Sequence, residues 1–365
     1  MPRSASAPAA AWMLALAALS ADLSACNEKR AQRPTRPPAA EPARPKAKSV
    51  VSEPAPRAEP AAPSVPARLS TDIDRARIER TLRSVARPRP PGSAHWKRVQ
   101  ALCEAELKKA GYAVERHDYG TGVNVLGARA GSDASAGHVV VSAHYDHIKG
   151  CDGADDNASG VAALLEIARV LSESRFARTL VIACWDEEER GLLGSRAYSE
   201  RAKARGERVG AAYSLDGIGF ASTRPNSQRL PPGFDSLFPE QAARMKERQF
   251  AGDFIAVVAN GASRTVLDSL TRHAQDVGLE LFAIELISLH SLLLSDAYRS
   301  DHASFWAQGY PAVLLTDTAN FRNPGYHCGQ GPDSVASIDF EFVRKVAQVT
   351  ALSALELLGP VAASP

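Results

Sequence analysis

The chain has 365 residues, 45% of them hydrophobic, and a formal net charge of +2. That length and apolar content suit one large globular domain with something attached, and so even a charge balance gives no argument for a nucleic-acid partner. After residue 26 no run is apolar for long enough to cross a bilayer.

The chain opens with a targeting pattern. Arg3 supplies a weak positive start, and AWMLALAALSA (residues 11–21) is an apolar stretch of export length. It runs on into Leu23-Ser24-Ala25-Cys26, which resembles the lipobox of bacterial lipoproteins. The resemblance implies cleavage before Cys26 and lipidation of its sulfur. With Asn27 rather than an aspartate next, it implies transfer to the outer membrane of a Gram-negative cell. Asp22 is unusual inside such a signal, and a plain secretory leader is the alternative. Residues 27–68 hold no aromatic side chain, few branched apolar ones and a proline every few positions. Such a segment cannot bury enough surface to offset the entropy of ordering, so it reads as a disordered Pro/Ala-rich tether. The organisation expected is a signal with a lipobox cysteine (1–26), the tether (27–68) and one domain (69–365).

From residue 71 the periodicities alternate. IDRARIERTLRSVA (73–86) and SAHWKRVQALCEAELKKAG (93–111) have helical spacing, with Ser93 as N-cap and Gly111 as stop. YAVERHDY and GVNVLGAR read as strands, and HVVVSAH (138–144) as a short buried one. A long amphipathic helix follows at 158–174, then the buried strand ARTLVIACW (177–185), a helix near 192–205 and the strand AAYSLD (211–216). Residues 221–250 read as an insertion or long loop. FIAVVAN, a helix at 264–278, LELFAIEL, the core strand YPAVLLTD (310–317) and a closing helix at 339–358 complete the series. Buried strands alternating with helices predict an α/β fold, a three-layer αβα sandwich around a mostly parallel mixed sheet.

The acids and histidines fall in a pattern. His144 and Asp146 follow one predicted strand, Asp155 and Asp156 precede a helix, and the acids of 186–189 follow another strand. Asp216 ends a third strand, and His327 lies one loop beyond a fourth. Open α/β sheets place their sites at the carboxyl ends of strands. Two histidines with several carboxylates suit a borderline metal such as zinc. If the ligands are His144, Asp156, Glu189, Asp216 and His327, the charge of two Zn²⁺ is balanced by three carboxylates and one hydroxide, so a two-metal centre offsets the burial of these acids. Cys103 and Cys184 lie in apolar contexts and read as buried small hydrophobes. Cys151 and Cys328 sit in loops, and an exported chain permits a bridge between them.

SAHYDH, GADDNASG, WDEEERGLLGS, YSLD, SDHASFWAQGYPA and NPGYHCGQGPDS, in this order, are similar to the blocks of the co-catalytic dizinc aminopeptidases. That family includes glutamate carboxypeptidase-like and glutaminyl cyclase-like relatives, and the likeness spans roughly residues 71–355. It implies the phosphorylase/hydrolase-like zinc exopeptidase fold, two Zn²⁺ per chain and peptide substrates. By that resemblance Asp156 bridges both metals, with a non-proline cis bond to Asn157. Glu189 and His327 complete one metal site and His144 and Asp216 the other. Glu188 is the general base, and Asp146 orients the His144 ring. Outside that set, His147 reads as an exposed or loop-packing histidine, and Asp155 as a capping acid or one lying behind the ligands. Asp301 and His302 either shape the pocket or cap a helix. Tyr326 either contacts the reacting groups or packs, and Asp333 supports its loop. The residues 286–296 are apolar enough for a pocket wall. The expected activity is release of N-terminal residues. The alternatives are a carboxypeptidase or dipeptidase on the same fold, a one-zinc cyclase-like transferase, or an inactive tethered binding domain. Cobalt or manganese in place of zinc stays open.

Overall fold

The strands carry apolar side chains on both faces because both faces are covered by helices. The computed structural model describes residues 72–287 and 295–361. The predicted signal and tether therefore lie outside the described residues. Eight strands, β1 (Ala113–Asp118), β2 (Val123–Arg129), β3 (His138–His144), β4 (Thr179–Trp185), β5 (Val209–Leu215), β6 (Ile255–Asn260), β7 (Leu281–Leu286) and β8 (Ala312–Thr316), form one sheet. Its order is β1-β2-β4-β3-β5-β8-β6-β7. β4, β3, β5 and β8 are parallel neighbours, while β2 and β6 flank them in the opposite sense.

The helices are α1 (Arg75–Val85), α2 (Ala94–Lys109), α3 (Gly160–Leu171), α4 (Leu193–Ala204), α5 (Phe234–Leu237), α6 (Pro239–Glu247), α7 (Arg264–Val277), α8 (His302–Ala307) and α9 (Phe340–Leu358). Side chains alternate along a strand. Val139, Val141 and Ala143 accordingly bury with Leu82, Leu107, Leu164, Leu270 and Val343 of α1, α2, α3, α7 and α9. Val140 faces the other way, joining Val181, Ala183, Tyr198 of α4 and Phe305 of α8. The predicted three layers are present. Ser93 caps α2 by accepting from the Trp96 N–H, and Gly111 follows its end at a φ of +80°.

Residues 221–250 differ from the expected long loop. They hold α5 and α6, and Phe234 and Phe238 pack on Val258, Leu286 and Leu314 of the sheet. One of the prolines there begins a helix instead of preventing it: Pro239 is the first residue of α6, where its missing N–H costs nothing. Among the described residues no helix is long and apolar enough to cross a membrane.

Candidate metal centre

Four parallel strands ending side by side place their following loops over one rim. His144 is the last residue of β3 and pairs in register with Trp185, the last of β4. Glu188 and Glu189 come three and four residues later, and Asp216 directly follows β5. The loop beyond β8 brings His327 back over the rim.

The side chains meet around Asp156. Its Oδ1 lies 3.2 Å from His144 Nε2 and its Oδ2 3.1 Å from His327 Nε2. His144 Nε2 also lies 3.4 Å from Asp216 Oδ1, and His327 Nε2 lies 3.2 Å from Glu189 Oε2. All five sequence-predicted ligands are therefore in one cluster, with one Asp156 oxygen toward each half. The Asp156–Asn157 peptide is cis, as the resemblance implied. Glu188 Oε2 stands 4.0 Å from His144 Nε2 and lines the adjoining cavity.

Asp146 works beneath this cluster. It is fully buried, and its Oδ1 is 3.5 Å from His144 Nδ1. The same carboxylate accepts the backbone N–H of Glu188 at 3.1 Å and of Glu189 at 3.3 Å. Orienting the His144 ring and fixing both glutamates are thus one residue's task. Asp333, also buried, accepts the N–H groups of Asp155 at 2.9 Å and Asp156 at 3.1 Å, which is the expected support of a loop. Asp155 points away from the cluster, toward the Gly219 N–H and Asn323 Nδ2, each at 2.8 Å.

The donor set fits a cation on the structure's own terms. Asp156 Oδ1 and His327 Nε2 are buried without hydrogen-bond partners, and such atoms are costly unless something satisfies them. The donor atoms of His147, Asp156, Glu189 and His327 lie within 4.8 Å of one another, as do those of His144, Glu188 and Asp216. Electrostatics agrees. Burial alone would lower the His144 pKa, but Glu188, Asp146, Asp156 and Asp216 outweigh it and hold it well above its ordinary value. His327 is raised to about 10, Asp156 and Glu189 overcoming the effect of burial. The site asks for positive charge.

Three readings of the sequence need correction or completion. His147 is neither exposed nor merely packed in a loop: it is fully buried, with Nδ1 2.8 Å from Glu189 Oε1 and its ring edge-on to His327. Its spacing from His144 was visible, but nothing local marked a loop residue as buried. Asp301 does not cap α8; its carboxyl is buried with Oδ1 unpartnered, and burial raises its pKa to about 7. His302 packs edge-on against Trp306, and its Nε2–H donates to the Ala297 carbonyl. The bridge that the two loop cysteines permit exists: Cys151 and Cys328 are disulfide-bonded, with Cα atoms 5.8 Å apart, while Cys103 and Cys184 are free and buried.

A cavity opens from the centre. Asp156, Glu188 and Asp216 line one end, and Pro231, Phe234, Val258, Ile284, Leu314 and Phe321 line apolar walls. Tyr326 lines it too, stacked on His327 with ring centroids 4.1 Å apart. Of the expected wall at 286–296, residues 288–294 lie outside the described residues, while Asp296 lines the cavity.

Known proteins share this arrangement of chain. The chain is 30% identical over 204 residues to the uncharacterized protein YfbL of Escherichia coli K12, covering 52% of this chain and 58% of that one. It is 27% identical over 245 residues to a probable leucine aminopeptidase of Trichophyton verrucosum, covering 64% and 54%. It thus spans a little over half the length of these curated relatives. Among solved structures, the LapA aminopeptidase of Legionella pneumophila superposes with a TM-score of 0.61 at 17% identity, covering 80% of this chain and 74% of that one. The glutaminyl cyclase of Porphyromonas gingivalis does so at 0.53 and 19%, covering 79% and 98%. These superpositions show the fold. The profile of peptidase family M28 matches residues 124–354, the stretch that carries every residue of the cluster above, and the chain belongs to that family.

Proposed function

We propose that this protein is a zinc-dependent aminopeptidase with two metals per chain. The carrying observation is Asp156, whose two oxygens face His144 and His327 separately. Glu189 and His327 would hold one ion, His144 and Asp216 the other, and Asp156 both. Zinc bound there supplies a Lewis acid for the scissile carbonyl and lowers the pKa of water. The protein's own groups do the rest. Glu188, at the cavity's end, accepts the proton of the attacking water and delivers it to the departing amine. Asp146 holds the His144 ring and the Glu188 backbone together, so ligand and base keep one relative position. His147 Nδ1–H fixes Glu189 as Asp146 fixes His144. The apolar walls exclude water and accept the side chain of the first substrate residue, favouring leucine, phenylalanine or methionine over charged residues.

We also propose export and lipid anchoring through Cys26. The lipobox pattern and the Cys151–Cys328 disulfide, a bond of oxidising compartments, support it.

The test is zinc content with paired activity on the purified protein. About two zincs per chain, and chelator-sensitive release from leucyl- and phenylalanyl-p-nitroanilide exceeding that from the glutamyl compound, are expected. One zinc, or two with no release from unblocked substrates, would overturn the reading.

A further inference from the structure

A fully buried arginine beside the metal centre belongs to no motif of the site and lies outside the family-matched segment. Arg89 stands in RPRPPG, ahead of α2, and none of it is exposed. Its guanidinium has five N–H donors, and the structure supplies carbonyl oxygens for them. Nε donates to Tyr145 at 2.9 Å. Nη1 donates to Asp152 at 2.7 Å and to Arg87 at 3.3 Å. Nη2 donates to Gly153 at 2.9 Å and to Asp156 at 3.3 Å. The Arg89 carbonyl in turn accepts the His147 N–H at 3.3 Å.

Those acceptors are not scattered. Tyr145 separates His144 from Asp146. Asp152 and Gly153 lead into the acidic turn, and Asp156 is the shared carboxylate itself. These four acceptors lie in the single connection between β3 and α3, so one side chain ties its start, beside His144, to the stretch near its end that presents Asp156. Among the described residues, no carboxylate lies within ion-pair distance of it. Burying a cation without such a partner is costly. Burial lowers the Arg89 pKa, and the field of the acids above, Asp156, Asp146, Asp333 and Glu189, opposes that effect in part by favouring its charge. The reverse holds equally: a fixed positive charge under a cluster of carboxylates reduces their mutual repulsion when no metal is present.

We propose that Arg89 is a positioning residue of the metal centre, a built-in cation that folds the β3–α3 connection so that His144 and Asp156, toward its two ends, stand at ligating separation before the metals arrive. The inference rests on the two-metal reading above. Lysine restores the charge but not the planar fork, and has three donors where five are used. Glutamine keeps a donor and removes the charge.

The experiment measures zinc affinity of the full-length protein by competition with a chromophoric chelator, together with the thermal midpoint of the metal-free form. Wild type, Arg89→Gln, Arg89→Lys and Leu107→Ala are compared. Leu107 is a buried α2 residue packed beside Gly127 of β2, and its substitution reports generic destabilisation. Loss of a residue that orients ligands lowers metal affinity by roughly 10–100-fold. That fall is expected for glutamine, a smaller one for lysine, and none for Leu107→Ala at a comparable midpoint. Wild-type affinity in Arg89→Gln overturns the proposal. So does an equal fall in Leu107→Ala. If the glutamine variant does not fold, wild-type affinity in Arg89→Lys does the same. A wild-type protein that binds no zinc would instead refute the metal centre itself.

Discussion

Glu188 and Glu189 are adjacent in sequence yet hold different positions. Glu189 Oε2 faces His327 at 3.2 Å, whereas Glu188 lines the open cavity. Burial, with Asp216, Asp301 and Glu189 nearby, pushes the Glu188 pKa well above its ordinary value against the pull of His144. Replacing Glu188 with glutamine keeps the shape and removes the base. Zinc content should stay unchanged while kcat falls by about 10²–10⁴-fold, and retained turnover would refute the assignment. Asp156→Ala should lose both metals, since each half of the cluster uses one of its oxygens; metal analysis of the purified variant decides. A third residue, outside the proposed ligand set, tests pH dependence. Burial lowers the His302 pKa to about 4 from 6.5. The unfolded chain therefore binds this proton more readily between those values. The stability His302 contributes is present above pH 6.5 and is lost as pH falls toward 4. The shift corresponds to about 3 kcal/mol. His302→Gln, which keeps a donor for the Ala297 carbonyl, should flatten that part of the curve in denaturant titrations of the metal-free protein.

The elements act by bringing loop ends to a common rim. β3 pairs with β4 on one side and β5 on the other, all parallel, so His144, the acids after Trp185 and Asp216 arrive together without any long-range design in their loops. The His327 loop has no strand directly beneath it and is tied down differently. Cys328 is bonded to Cys151, 177 residues away, and Cys151 lies just ahead of the turn carrying Asp156. Closing so long a loop restricts the unfolded chain. Cys151→Ser with Cys328→Ser should lower stability by about 2–4 kcal/mol, measured by denaturant unfolding. Because the bridge lies beside His327, the same variant should also bind less zinc. Wild-type zinc content would show that the loop holds its place unaided.

For the whole molecule, the pattern of buried strands and helices was enough to derive three layers and a mostly parallel sheet. Two-sided burial of Val139, Val140 and Val141 in opposite cores is what makes such runs wholly apolar. The proposed N-terminal anchor is a separate, whole-chain matter: if Cys26 carries it, Cys26→Ser moves the protein from the membrane to the soluble fraction with kcat unchanged, and fractionation checks it. The gathering of His144, Asp156, Glu189, Asp216 and His327 was legible too, because acids and histidines at the ends of apolar strands have few other reasons to cluster. What local sequence could not carry was the inside of the loops. His147, Asp301 and Arg89 are polar residues in irregular segments, where no periodicity reports burial. Residues 221–250 looked like a loop because prolines punctuate them, although one begins α6 and Phe234 walls the cavity. The sequence by itself determined the layers, the sheet edge and which acids and histidines gather there, since hydrophobic period and residue type act locally. The tertiary structure alone decided which buried charges face one another, because the Asp156 oxygens, the Arg89 fork and the Cys151–Cys328 bridge join segments that only folding brings together.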